Sequence, residues 1–272
     1  MAGRSGNTVL QQRGFTLVEM VMVIVISAIL AVLVTSFISR SAQGLVASSQ
    51  RLELANNANL ISERISREIR SALPNSVRTF DDGNNSCIEF VPIINSSEYL
   101  TLPVAAAANQ FTVVALPAGG NTGFVAVYPS SVAQVYNIGS NTVTQVQASA
   151  APAVANVQTV SFAGGANVRF DTHSPTHRFY LTAQPVAFCE DTNGRVWRYV
   201  NYGFHADSRA FLPPAVANRA VVGAGLQPGS LNFNLLPAQL QRNAVVRISL
   251  TAQSAGGESL ASAQEVQLRN VP

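Results

Sequence analysis

The chain has 272 residues, of which 47% are hydrophobic and only 11% charged. Soluble proteins average about 25% charged residues, so this composition excludes a coiled coil, a polyelectrolyte tail and a disordered chain. Net charge is +3, all 17 basic residues are arginine, and eight of them fall within the first 78 residues. The basic balance thus belongs to the N-terminal region. No RNP motif, zinc-finger spacing or basic-aromatic stripe marks a nucleic-acid partner.

Residues 1–14 form a polar leader with Arg4 and Arg13 and no acid. From Phe15 to Ser39 the only charge is Glu19. As a helix this stretch is ~37 Å long, enough to cross a bilayer core of about 30 Å. Arg13 and Arg40 bracket it. The positive leader favours a cytoplasmic N-terminus with the bulk of the chain on the other side. A secretory signal places its apolar region before the cleavage site. Here the apolar run follows Gly14, so a cut between Gly14 and Phe15 would leave the helix on the mature protein. A carboxylate inside such a span costs about 2.5–3.5 kcal/mol and calls for a partner. The plain alternative for Glu19 is a side chain snorkelling to the membrane face.

Leu54, Ala58, Ile61, Ile65, Ile69 and Ala72 then recur at three- and four-residue steps, which predicts that the helix continues in amphipathic form. Pro74 ends the pattern, and Gly44 is a weak point within it. The expected organisation is a leader over 1–14, an apolar half-helix over 15–39, an amphipathic half over 40–73 and a β-rich domain over 74–272.

Beyond the helix, apolar or alternating runs read as strands at Cys87–Val91, Phe111–Leu116, Phe124–Tyr128, Val143–Val146, Arg178–Leu181, Val186–Glu190, Arg195–Asn201, Ala244–Ala252 and Gln264–Arg269. Gly, Pro, Asn and Ser clusters separate them. Asp191-Thr192-Asn193-Gly194 reads as a hairpin turn. The expected fold class is α+β, a long N-terminal helix packed on an antiparallel sheet. Residues 99–168 carry no charge at all. They read as an elaborated β region kept soluble by hydroxyls and amides, with flexible stretches such as Ala148–Ala155; the sharper reading is a sugar-binding face.

Cys87 and Cys189 are the only cysteines. An even count at wide spacing suits one disulfide in an oxidising compartment, the alternative being two buried thiols. Asp81, Asp82 and Asn84 are oxygen ligands in one loop, a weak calcium candidate, but their spacing is not that of an EF-hand. His173, His177 and His205 are the only histidines. No HExxH helix or GxSxG elbow accompanies them, so the expectation is a non-enzymatic chain without a cofactor.

The string Arg13-Gly14-Phe15-Thr16-Leu17-Val18-Glu19 resembles the cleavage and methylation motif of type IV prepilins. The resemblance implies a prepilin peptidase that cuts between Gly14 and Phe15 and N-methylates Phe15. It also implies that Glu19 pairs with the α-amine of Phe15 in a neighbouring subunit. Further blocks are similar to minor pilins, in particular the MshO type of the mannose-sensitive haemagglutinin (MSHA) pilus. They are Glu63–Arg78, Cys87–Ile93, Val127–Pro129, His177–Leu181, Pro185–Cys189, Trp197–Tyr199 and Asn270–Pro272. Residues 100–168 carry little of the likeness. Wider relatives are GspJ-type pseudopilins of type II secretion and PilW-like minor pilins. Many major pilins have a proline within the apolar helix; Ser36 stands at the matching position here. The family implies a low-copy subunit that primes or caps pilus assembly in the inner membrane. Its implied partners are other pilins, the peptidase and the assembly platform, and its later place is the fibre or its tip, in support of surface attachment. The alternatives are a type II secretion pseudopilin and a glycan-binding tip adhesin.

Overall fold

A computed structural model describes residues 16–81, 86–137, 140–207, 218–238 and 243–268. The chain divides into two compact units, Met1–Gln50 and Arg51–Pro272. Helix α1 (Leu17–Ile69) begins in the first and ends in the second.

In the first unit, Thr16 starts the helix. Its hydroxyl accepts the Glu19 amide at 3.3 Å, and its carbonyl accepts the Met20 amide at 3.2 Å. That satisfies donors which every helix N-terminus leaves open. Farther along, the Thr35 hydroxyl donates to the Ala31 carbonyl at 2.8 Å and the Ser36 hydroxyl to the Leu33 carbonyl at 2.9 Å. Neither hydroxyl therefore needs a partner from outside the helix. Gly44, expected as a weak point, lies inside the helix, which continues through it. One glycine costs only about 1 kcal/mol relative to alanine, and a helix this long carries it.

In the second unit, α1 becomes one-sided. Leu54, Ala58, Ile61, Ile65 and Ile69 are buried with Ser62 and Ser66 between them, the three- and four-residue spacing of a single face. The helix stops at Ile69, three residues before the expected Ala72, because a strand competes for the backbone. Ser71 and Ala72 donate back to Glu68 and Ile69 in a tightened last turn. Ala72 then bridges Pro92, Leu73 donates to Val91, and Ile93 donates to Ser71.

The strands are β1 (Arg78–Asp81), β2 (Ser86–Phe90), β3 (Ile93–Glu98), β4 (Gln110–Val114), β5 (Thr122–Ala126), β6 (Val143–Ala150), β7 (Val157–Phe162), β8 (Arg178–Thr182), β9 (Val186–Glu190), β10 (Val196–Val200), β11 (Asn218–Gly223), β12 (Asn232–Leu236), β13 (Val245–Gln253) and β14 (Ser259–Gln267). A short helix, α2 (Val132–Tyr136), lies between β5 and β6. The fold is α+β, but the single antiparallel sheet of the sequence reading is three antiparallel sheets. Their orders are β1-β2-β9-β10-β11, β12-β13-β14 and β3-β8-β5-β6-β7-β4.

Each sheet has a place in the packing. The α1 face shares one core with Ile88, Phe90, Val186, Phe188 and Val196 of the five-stranded sheet and with Phe233, Val246, Ile248, Leu250 and Val266 of the three-stranded sheet. The β11 backbone comes so close to the helix that a Cβ on Gly223 would lie 2.3 Å from Ile61 Cγ1. The six-stranded sheet has its own core around Phe111, Phe162, Phe170 and Phe179. A third cluster, including Leu73, Val91, Phe124, Tyr136 and Phe204, links it to the end of α1. The uncharged residues 99–168 build most of this sheet. Ala148–Ala150, expected to be flexible, belong to β6, where Ala148 is buried. Thr122, Asn121 and Gln147 keep that region wet without charge.

Ile65 is completely buried in the shared core. Ile65→Ala is expected to cost about 2–5 kcal/mol. Equilibrium unfolding in denaturant, followed by fluorescence of Trp197, the only tryptophan, measures it.

Candidate functional site

The first unit presents the chemistry. Every large apolar side chain from Leu17 to Ile38 is more than half exposed. Burying one such side chain is worth about 1.5–3 kcal/mol, so a run of this length requires lipid or other apolar helices around it. α1 is the one helix among the described residues long and apolar enough to cross a membrane. Glu19 sits in its first turn, where the helix dipole favours an anion. Gly14 and Phe15 lie outside the described residues, as do residues 1–14 as a whole.

The second unit holds the remaining residues singled out in the sequence. Cys87 in β2 and Cys189 in β9 stand directly opposite each other, with Cα atoms 4.2 Å apart, and form a disulfide. Both are buried. Asp81 closes β1 opposite Ser86; Asp82 and Asn84 lie outside the described residues. Among the described residues, no three His, Cys, Asp or Glu side chains converge. His173 and His177 flank the buried ring of Tyr99, whose hydroxyl takes the Ser174 amide at 2.8 Å.

Three carboxylates to which the sequence reading gave no anchoring role organise this unit. Glu89 is buried on the outer face of β2 and pairs with Arg78 of β1. Tyr202 donates to the other Glu89 oxygen at 2.8 Å. The Arg78 guanidinium also donates to the carbonyls of His205 and Ala206 at 2.7 and 2.8 Å and lies 3.6 Å from the centre of the Tyr136 ring. This cluster pins the segment after β10 to the edge of the five-stranded sheet, and Phe204 in that segment reaches the Phe124–Tyr136 cluster. Burial holds the Glu89 carboxyl above the ordinary glutamate range, against the pull of Arg78 and Tyr202. Glu190, at the end of β9, accepts the amides of Gly229 and Leu231 at 3.1 and 2.8 Å and so caps the loop before β12. Asp191 accepts the Trp197 indole at 2.9 Å and the amides of Asn193 and Arg195. Burial opposes ionisation there, but these hydrogen bonds together hold the carboxyl below the usual range. The hairpin at Asp191–Gly194 thus has its turn residue serving as an anchor as well. Arg198 of β10 fastens the α1 face through Glu68 at 2.7 Å. The signal for Glu89 was its place two residues from Cys87 in a strand, on the face opposite Ile88 and Phe90.

A family model described as the prokaryotic N-terminal methylation motif matches residues 10–35. That span contains Gly14, Phe15, Glu19 and most of the exposed apolar run. With the helix, it supports a type IV pilin-like prepilin anchored in a membrane, a class of structural subunits. No curated protein and no solved structure matches the chain.

Arg78→Met leaves Glu89 buried without its counter-charge and is expected to cost about 3–5 kcal/mol near neutral pH. The raised carboxyl means that the folded chain holds its proton at a pH where the unfolded chain has lost it. The Glu89 contribution is therefore largest below the unfolded value near about 4.3 and falls as pH rises through the folded one. The variant should accordingly recover part of its deficit as pH drops toward about 4. Denaturant titrations of both proteins across that range check the sign.

Proposed function

We propose that this chain is a minor pilin of an MSHA-type type IV pilus, of the MshO kind, which primes or caps fibre assembly from the inner membrane and supports surface attachment. The observation that carries the reading is the exposed apolar face from Leu17 to Ile38, led by a methylation motif and with Glu19 as its one charge. In this reading residues 1–14 are a leader. A prepilin peptidase cuts between Gly14 and Phe15, and Phe15 is N-methylated. Residues 15–39 then serve as membrane anchor and assembly surface, residues 40–73 as the amphipathic half of the helix, and residues 74–272 as the domain outside the cytoplasm.

The electrostatic step follows from cost. Glu19 is tolerated in an apolar bundle when a positive group meets it. The new α-amine of Phe15 on a neighbouring subunit supplies that charge, so the N-terminal ends of neighbouring helices register with each other as subunits stack. The assembly platform and the other pilins are the partners, and the chemistry is packing, not turnover of a substrate. The disulfide between Cys87 and Cys189 suits the oxidising side of the membrane. The same motif fits a type II secretion pseudopilin equally well, and that is the second reading.

Two measurements test this. Mass spectrometry of sheared surface fibres should find the chain at low stoichiometry with an N-terminal peptide starting at methylated Phe15. A peptide that still contains residues 1–14 would falsify the processing. Loss of secretion with normal fibres on deletion would favour the pseudopilin. In the second test, Glu19→Ala should lower fibre counts about tenfold or more at an unchanged level of the chain in the membrane; unchanged counts would end the pairing mechanism.

A further inference from the structure

The chain has three histidines, and the fold brings two of them together. His173 and His177 lie in the loop that leads into β8, and both side chains are exposed. No helix sets their spacing, because Pro175 stands between them. A turn does. The His177 amide donates to the Ser174 carbonyl at 3.0 Å, and His177 takes the left-handed backbone with a φ of 53°, where histidine is enriched among non-glycine residues. The two ring centres are 6.3 Å apart, with the ring planes at 75°.

The turn is held from below by Tyr99, the residue that follows β3. Its amide donates to the His177 carbonyl at 2.8 Å. Its buried ring lies 5.8 Å from the His173 ring and 5.3 Å from the His177 ring, centre to centre. The Tyr99 hydroxyl accepts the Ser174 amide at 2.8 Å, lies 3.4 Å from the Ser174 carbonyl and 3.3 Å from His173 Nδ1. With its own proton directed to that carbonyl, the hydroxyl has one lone pair left for His173 Nδ1–H. This pattern assigns the proton of His173 to Nδ1 and leaves Nε2 with a free lone pair. A metal-ligating histidine ordinarily donates its other ring N–H to an oxygen in the same way.

We infer that His173 and His177 together bind one zinc ion, or a divalent metal of similar softness, with solvent in the remaining positions. Two imidazoles on a tetrahedral zinc hold their ring centres about 5 Å apart. A closure of about 1 Å, within the rotation of exposed side chains, therefore brings both rings to one ion. Imidazole nitrogen selects zinc, copper or nickel over calcium and magnesium, which take oxygen ligands. Among the described residues no third His, Cys, Asp or Glu joins the pair, so the site is of the open, exchangeable kind. Both cysteines are in the disulfide and offer no competing thiolate. The ion clamps the turn at the place where the end of β3 meets the start of β8, beside the paired Glu98 and Arg178. The inference holds whichever fibre or secretion system the chain serves.

The test uses the full chain, without a histidine tag, in detergent micelles. Calorimetric titration with zinc chloride should show one ion bound per chain, and magnesium chloride should give no heat. His173→Ala and His177→Asn should each weaken zinc binding about tenfold or more; asparagine keeps the left-handed backbone of the turn. His205→Ala, in a different segment, should leave the affinity unchanged. Tyr99→Phe keeps both imidazoles and removes only the hydroxyl, and zinc should bind it about 10–100-fold more weakly. If Tyr99→Phe loses the native circular dichroism, the two histidine variants decide, since both replace exposed side chains. No zinc heat with the parent chain, or undiminished affinity in either histidine variant, overturns the proposal. Loss of binding in His205→Ala with binding retained in the other two also overturns it and moves the ion elsewhere.

Discussion

A single face of α1, from Leu54 to Ile69, is the common floor of two sheets. The five-stranded sheet brings Ile88, Phe90, Phe188 and Val196 to it, and the three-stranded sheet brings Phe233, Ile248 and Leu250. Neither sheet has another buried core of that size, so each depends on the helix for the area that keeps it folded. The contact is tight enough to dictate residue type. Gly223 carries no side chain where Ile61 approaches, and Arg198 reaches across to Glu68 beside it. The same helix has an entirely different surface in the first unit, where the large apolar side chains bury nothing within the chain. One element thus satisfies two solvents. Periodic apolar spacing faces a protein core, and an all-round apolar surface faces lipid or other helices.

Much of this was legible in the sequence because the signals were periodic. The stripe Leu54–Ile69 followed from three- and four-residue steps, and the strands at Val186–Glu190 and Ala244–Ala252 from apolar runs between turn residues. What escaped has physical reasons. β3 reads Ile-Ile-Asn-Ser-Ser-Glu, and its polar residues are held by carbonyls, as when Asn95 donates to Pro117 and Gly119. β11 is mostly exposed, so nothing in its composition separates it from a loop. β7 alternates cleanly but lies in the uncharged stretch, where composition suggests a β region without marking this strand. The early end of α1 is set by Val91 and Pro92, about twenty residues away, and no local rule contains them.

The candidate site divided in the same way. The prepilin motif and the exposed helix were readable, since both are local. The Arg78–Glu89–Tyr202 cluster was not, because it joins two neighbouring strands to a side chain 113 positions farther along. A lone glutamate in an apolar strand is ambiguous until its partner is located. The two cysteines left open whether they pair; register decided it, by setting β2 against β9 with Cys87 opposite Cys189.

That register has a mechanical consequence. All six strands of the largest sheet, β3 to β8, lie between Cys87 and Cys189 in the chain. The bond therefore closes a loop spanning 102 positions at its base, and the whole six-stranded sheet hangs within it. A pull applied between the N-terminal helix and the C-terminal strands travels from β2 through the sulfur atoms into β9 and does not enter that loop. The sheet is removed from the load path. Its sequence is thereby free to change, and its aromatic core free to loosen, without weakening the covalent path from the helix to the C-terminal strands.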